Sequence, residues 1–293
     1  MAGHKDGAVV VTGASTGIGR ATALELDEWG YRVFAGVRKQ KDANALKKEG
    51  SERLTPITLD VTKERSIANA KQKVQRAVGK EGLVGLVNNA GVGGGGPVEF
   101  IPLDDFRNVL EVNVVGQVAI TQAFLPLLRK AQGTVVFIAS IGGRIASPFL
   151  SPYNASKFGV EALGDSLRRE VSPWGIDVVV IEPGSIKTEI WAKGEDQLKD
   201  QLKGMPAAAR RLYGKQVRSW TKVFMVDTPA RGIGPEKVAD VIAKAIRSNR
   251  PKPRYLVGTD AKVGAKLHAA LPKRTFDRLV RWQMKLPKQL PAK

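Results

Sequence analysis

The chain is 293 residues long, 43% hydrophobic and 26% charged, so it carries enough apolar material for a folded core and falls outside the disordered class. It has no cysteine and only two histidines, His4 and His268, which removes disulfides, thiolate nucleophiles and thiolate metal sites and leaves chemistry to other side chains. Forty-seven basic residues against 28 acidic ones give a net charge of +19, which bears on solubility and attraction to anions rather than on fold.

The first residues lack the basic, apolar and small-residue order of a signal peptide, and no apolar run approaches the roughly 18–20 residues of a membrane span, so a cytoplasmic protein is expected. Short apolar runs then alternate with longer amphipathic ones. Strands are predicted at Ala8–Thr12, Tyr31–Gly36, Leu54–Leu59, Leu83–Val87, Thr134–Ala139, Asp177–Ile181 and Arg254–Val257. Helices are predicted at Gly17–Trp29, Lys63–Val78, Leu103–Ala131, Ser151–Val171 and Pro235–Asn249, with a bend in the long one at Asn113 or Pro126. The alternation predicts a doubly wound α/β fold around a seven-stranded parallel sheet. Glu189–Gly234 breaks the pattern: it has no strand and scattered large apolar residues, and reads as a lid without regular structure.

The first strand runs into Gly13-Ala14-Ser15-Thr16-Gly17-Ile18-Gly19 and then directly into a helix. Glycines let the backbone approach a pyrophosphate, and the helix start offers free N–H groups and partial positive charge. Further along stand Asn88-Asn89-Ala90-Gly91 after the fourth strand, Ser140 after the fifth, Tyr153 and Lys157 four apart on one helix face, and Pro183-Gly184 after the sixth. An isolated Tyr/Lys pair at this spacing is ordinarily a solvated helix surface, and an isolated serine after a strand is ordinarily a cap. Their joint occurrence with the glycine loop reverses both readings.

Together these motifs resemble the single-domain short-chain dehydrogenases/reductases over nearly all of Ala8–Val257. Asn113-Val114-Val115-Gly116, Tyr153–Gly159 and Ser166–Glu170 are most similar to the retinol, hydroxysteroid and 3-hydroxybutyrate dehydrogenase branch. The resemblance implies one Rossmann-type catalytic domain over residues 1–258, with 189–234 as substrate lid, and a basic carboxy-terminal extension over 259–293. It implies Asn113, Ser140, Tyr153 and Lys157 as the catalytic set. It implies a cofactor held by Gly13, Ser15, Thr16, Gly17, Ile18, Gly19, Asp60, Val61, Asn89, Gly91, Tyr153, Lys157, Pro183, Gly184, Ile186 and Thr188. Asn113 would interrupt its helix and hold a water linking Lys157 to solvent. The family pairs subunits through the helices bearing Asn113 and Tyr153, so a homodimer or homotetramer is expected.

The chemistry supports these roles. Exchange of hydride between an alcohol or ketone and nicotinamide needs one group that moves a proton at oxygen. A phenol with a free pKa of about 10 serves near neutrality only when its environment helps, and the Lys157 cation is placed to do so. Ser140 is placed to hydrogen-bond the substrate oxygen. Val37 stands where an NAD-user would place an acid for the ribose hydroxyls, and Arg38 and Lys39 follow it. No acid lies between Tyr31 and Lys41, so NADP is expected over NAD.

Trp191, Tyr213 and Trp220, with Phe224 and Met225, make the lid apolar and predict a bulky hydrophobic alcohol or ketone of steroid, retinoid or aryl type. A reductase of small hydroxy acids or aldehydes is the alternative substrate class. A catalytically silent NADP sensor or scaffold is a further alternative, opposed by the intact Asn113, Ser140, Tyr153 and Lys157. In the tail, Phe276, Leu279, Val280 and Gln283 share a helical stripe beside Arg274, Arg278, Arg281 and Lys285. Such a helix suits packing on protein or peripheral contact with an anionic membrane. No nucleic-acid reader motif accompanies the charge.

Overall fold

A computed structural model describes residues 7–188, 204–230 and 232–287. Seven strands, β1 (Ala8–Val11), β2 (Arg32–Val37), β3 (Leu54–Thr58), β4 (Gly85–Asn88), β5 (Thr134–Ile138), β6 (Asp177–Pro183) and β7 (Arg254–Val257), form one sheet in the order 3-2-1-4-5-6-7. Every pairing is parallel. The predicted seven-stranded doubly wound sheet is therefore present, each strand within two residues of expectation. Because β1 pairs with both β2 and β4, the chain reverses its winding between them and opens a crevice at the carboxyl ends of β1 and β4.

The alternation of side chains along buried strands builds two cores. Ala8 and Val10 of β1 face one core with Phe124, Leu128 and Val160, and Val9 and Val11 face the other with Leu26, Ile242 and Ile246. The first is covered by α3 (Glu64–Val78), α5 (Gly116–Ala131) and α6 (Ser151–Val171), the second by α1 (Gly17–Glu28), α2 (Gln40–Glu49) and α8 (Glu236–Arg247). Both faces of the sheet are thus dry, as a parallel sheet requires. Helix α2 has no counterpart among the predicted helices, because it buries only Leu46 and so carries almost no apolar period.

The predicted helix over 103–131 is three segments. Helix α4 (Leu103–Leu110) passes through a π-helical turn, Glu111–Val115, into α5, while Pro126 is accommodated without a break. This run corrects the expectation that no segment nears a membrane span, since its length and apolarity are sufficient on composition alone. Its apolar residues are spent on the sheet, where Val109, Ile120, Phe124, Leu127 and Leu128 are buried.

One further expectation is corrected. The described part of the lid is not irregular: α7 (Ala207–Thr221) continues into a π-helical turn, Lys222–Asp227. Ala209, Tyr213, Val217 and Trp220 recur at helical spacing and share one face. Past residue 258, helix α9 (Thr259–Ala270) carries Asp260 in its first turn, whose carboxylate accepts the Ser185 N–H at 2.7 Å. After α10 (Lys273–Gln283), Met284 and Leu286 join Leu150, Val217 and Trp220 in a third apolar cluster.

Candidate active site

The glycine loop leaves β1 and folds back on the end of β4. Gly13 and Gly17 hold φ of 65° and 57°, in the left-handed region that glycine enters without a Cβ penalty. A Cβ on Gly19 would lie 2.2 Å from Asn89 Nδ2 and 2.3 Å from Gly13 O. The loop is held from below. Asn89 Nδ2 donates to Thr12 O at 2.9 Å and Gly13 O at 3.0 Å, while Thr12 Oγ1 accepts the N–H groups of Asn89 and Ala90, both at 3.0 Å. Asn89 therefore acts on the cofactor site through the loop's carbonyls.

Thr16 precedes α1 in extended conformation without a side-chain cap, and the first turn holds no acid. The leading N–H groups of the helix have no intrahelical acceptor and remain available to an anion. Thr188 closes the loop from the β6 side, since a Cβ on Gly17 would meet Thr188 Cγ2 at 3.1 Å. Ile186 is buried and bridges to Ile233, and Gly184 donates to Val257 O at 2.8 Å, so the Pro183–Thr188 segment is fixed beside the crevice.

At the end of β2, the Val37 side chain is 3% exposed and lies in the second core. Arg38 is the first exposed position. It lies near Asp60, which accepts from Thr62 N at 3.0 Å and Thr62 Oγ1 at 2.8 Å. Burial pushes the Asp60 carboxyl upward, but the Thr62 bonds and the Arg38 and Lys63 charges outweigh it and hold the group below its ordinary value. Val61 is buried and packs against Gly116, and Gly91 lies 3.3 Å, by its Cβ position, from Asn113 Oδ1.

The residues expected to handle the proton stand on the other side of the crevice. Ser140, in extended backbone after β5, caps a 3₁₀ turn over Ile141–Gly143 by accepting Gly142 N–H at 3.0 Å. Its hydroxyl also lies beside Tyr153 on the first turn of α6, where it pulls the phenol downward. Burial pushes the Tyr153 phenol above its ordinary value, against the opposing pull of Ser140. Lys157 is buried, lies with Nζ 5.6 Å from the Tyr153 ring centre, and donates to Ile138 O at 2.7 Å. Burial lowers it to about 8, against the opposing charge of Glu161.

Asn113 sits in the π-helical turn and is fully buried. Its Oδ1 accepts Val92 N–H at 2.8 Å, and its Nδ2 donates to Val92 O at 2.9 Å and Ser156 Oγ at 3.0 Å. The helix interruption is present as expected, and the side chain is held by protein partners. Ser156 Oγ donates in turn to Tyr153 O at 2.7 Å, so Asn113 positions the tyrosine turn.

The apolar wall comes from distant segments. Trp220 is 0% exposed, stacks on Phe224 at 5.0 Å, meets Phe149 edge-on at 5.9 Å and donates Nε1–H to Ser147 Oγ at 3.1 Å. It is thus a core residue of the lid, a correction to its reading as a direct substrate contact. Tyr213 meets Phe100 and Phe149 edge-on and donates to Glu99 Oε2 at 2.9 Å. Tyr153 packs against the same cluster. Phe149 holds φ of 63°, and its carbonyl accepts Gly96 N–H at 2.7 Å, a strained conformation that aims the ring at the lid. Trp191 and the Met225 side chain lie outside the described residues.

Sequence reading also passed over Glu161, Glu182, Arg254 and Arg144, which lie behind Lys157. Arg254 Nε is 3.0 Å from Glu161 Oε2 and 3.4 Å from Glu182 Oε1, and Arg144 reaches the same Glu182 oxygen at 2.7 Å. The one signal available was Glu161 at i+4 from Lys157, on the same face of α6.

A glycine cradle over an open helix start, at the reversal point of a doubly wound sheet, with Ser140, Tyr153 and Lys157 across the crevice, defines a dinucleotide-dependent oxidoreductase. Residues 7–199 match the short chain dehydrogenase family, and the chain belongs to it. It is 37% identical over 299 residues to retinol dehydrogenase 5 of Mus musculus, covering 97% of this chain and 91% of that one. It is 38% identical over 262 residues to 17-beta-hydroxysteroid dehydrogenase type 6 of Bos taurus, covering 88% and 82%. A short-chain dehydrogenase structure from Streptomyces avermitilis superposes with a TM-score of 0.75 at 27% identity, covering 96% of this chain and 97% of that one. A short chain dehydrogenase from Burkholderia cenocepacia J2315 in complex with NADP gives 0.71 at 25% identity, covering 93% and 96%. The protein is accordingly an oxidoreductase acting on CH–OH donors through a nicotinamide cofactor.

Proposed function

We propose that this protein interconverts a bulky apolar secondary alcohol and its ketone with NADP(H). The observation that carries the reading is the position of Tyr153, beside Ser140 on one side and packed against the Phe149–Trp220–Tyr213 cluster on the other. A carbonyl placed at the phenol would have its remaining carbons against that apolar wall. The retinol and hydroxysteroid dehydrogenase relatives, named for bulky apolar alcohols, support the same substrate class.

Gly13, Gly17 and Gly19 would admit the pyrophosphate to the start of α1, Arg38 would meet a ribose phosphate, and Lys157 and Thr188 would border the nicotinamide half. Bound there, the nicotinamide supplies or accepts the hydride. The protein's own part is proton transfer and charge stabilisation. In reduction Tyr153 gives its proton to the carbonyl oxygen while Ser140 donates to the same atom and stabilises the developing charge. Burial keeps the phenol protonated and ready for this direction. In oxidation the reverse transfer needs the phenolate, which the Lys157 cation favours.

Homo-oligomerisation and peripheral membrane contact belong to the same proposal. Val115 and Phe158, 50% and 44% exposed on the helices bearing the site, support pairing of subunits there. Trp282, 77% exposed on α10 beside Arg278, Arg281 and Lys285, supports contact with an anionic surface. A panel of retinoid, steroid, aryl and short-chain substrates assayed with NADPH and NADH tests the central claim. Best turnover on 3-hydroxybutyrate or another short hydroxy acid would overturn the substrate class.

A further inference from the structure

Behind Lys157, on the side away from the crevice, two glutamates from different elements meet. Glu161 lies one turn further along α6, and Glu182 is a fully buried residue of β6 immediately before Pro183. Each has one oxygen satisfied by arginine: Glu161 Oε2 by Arg254, and Glu182 Oε1 by Arg254 and Arg144. The second oxygens, Glu161 Oε1 and Glu182 Oε2, are buried without any hydrogen-bond donor. Two ionised carboxylates in contact would leave both as uncompensated acceptors and add their mutual repulsion, each a costly arrangement away from water. One proton between them turns two unsatisfied acceptors into a hydrogen bond.

We infer that Glu161, backed by the buried Glu182, holds a proton at or below neutral pH and releases it on the alkaline side, the two acting as positioning residues that keep Lys157 charged as the pH rises. Their effect on turnover rests on the reaction proposed above. The charged groups that face the pair are Lys157 from the same helix, Arg144 from the turn after Ser140, and Arg254 from β7, with Asp165 taking the other arm of Arg254 at 3.0 Å. Burial first, and then the neighbouring Glu182, pushes Glu161 up to about 7, while Arg254 opposes both. Lys157 is lowered to about 8 by burial and raised by Glu161. The order of the two titrations gives the device its sense. Below neutrality the lysine needs no help to stay protonated; above it, the pair has lost its proton and presents its full negative charge to the lysine.

The test is a pair of carbon-13 titrations of the intact protein, with labelled glutamate and labelled lysine side chains, alongside the pH profile of kcat for ketone reduction. Glutamate titration near neutrality is expected in the unmodified protein and should vanish in both Glu161→Gln and Glu182→Gln. In Glu161→Gln the Lys157 titration should fall by about one pH unit, and the alkaline limb of kcat should move with it. Glu161→Asp, which keeps the charge, should restore most of that shift, whereas a purely structural role would leave both pH midpoints unmoved. Ordinary glutamate titration throughout the unmodified protein would overturn the proton held on Glu161. An unmoved Lys157 titration in a folded Glu161→Gln variant would overturn the coupling. Both readouts need no turnover, so a protein inactive on every ketone would fail the proposed reaction while these titrations still decide the pair.

Discussion

The two sides of the crevice are built from different materials. The cofactor side is mostly backbone: glycines at φ 65° and 57°, an uncapped helix start, and an asparagine whose amide holds two carbonyls of the loop. The substrate side is mostly side chain, with Phe100, Phe149, Tyr213, Trp220 and Met284 drawn from loops, lid and tail. A backbone cradle tolerates few changes and offers one shape, suited to a ligand that stays the same. An aromatic cluster from separate segments can be resized piece by piece, which suits a site whose ligand differs among relatives. What separates a short chain dehydrogenase for one alcohol from one for another should therefore lie in residues 95–100, 147–150, 207–224 and 280–286.

That contrast can be broken most forcefully at Trp220. A wholly buried tryptophan replaced by alanine costs about 3–5 kcal/mol, the transfer term plus the cavity. Trp220→Ala should therefore lower the melting temperature sharply and loosen the lid, while NADPH binding, measured by fluorescence at a temperature where the variant is folded, changes little. Equal loss of cofactor affinity would show that the two sides are not separable.

Tyr153→Phe sharpens the same division at the boundary between the sides. The ring that packs on the Phe149–Trp220 cluster is kept and the only proposed proton-transfer oxygen is removed, so turnover should fall about 10²-fold or more. Stability and cofactor affinity should be preserved. Near-normal turnover in a stopped-flow assay would remove Tyr153 from the mechanism.

The difference in construction also explains what the sequence disclosed. A backbone cradle leaves a local signature, because Gly13, Gly17 and Gly19 are each required by geometry within seven consecutive residues, and Tyr153 and Lys157 are neighbours on one helix. The sheet was legible for a similar reason, since strands such as Ala8–Val11 and Thr134–Ile138 are short, mostly apolar runs. The aromatic cluster leaves none: nothing in the spacing of Phe149, Trp220 and Met284 says that they touch. The Glu161–Glu182 contact depends on the register of α6 over β6, which no local pattern encodes.

Gly19→Ala probes the cradle directly. The added Cβ would meet both Asn89 Nδ2 and Gly13 O, so at least one of the two bonds that hold the loop must yield, at about 1–3 kcal/mol. Cofactor affinity should fall by roughly ten-fold to a hundred-fold by isothermal titration, with the pH midpoints of Glu161 and Lys157 unchanged. An alanine variant with wild-type affinity would mean that the Gly19 approach has slack that the described contacts do not contain.

Arg38 is the one side chain on the cofactor side that should decide which dinucleotide enters, and its effect is the most modest. A charge-assisted hydrogen bond to a ribose phosphate is typically worth about 1.5–3 kcal/mol, or roughly ten-fold or more in affinity. Asp60 reduces this attraction, because its carboxylate is held ionised nearby and already faces the Arg38 charge. Arg38→Ala should therefore lower kcat/KM for NADPH by about ten-fold and leave NADH nearly unaffected, with a gap that narrows as salt is added. Placing the acid at Val37 would bury a carboxylate in the core and destabilise the sheet. Arg38→Asp is the sound inversion, since it removes the cation and puts a ribose-hydroxyl acceptor at the exposed position. Equal efficiency of the unmodified protein with NADH and NADPH at low salt would show that Arg38 belongs to the general basic surface and that the cradle alone, blind to the 2′ position, sets cofactor binding.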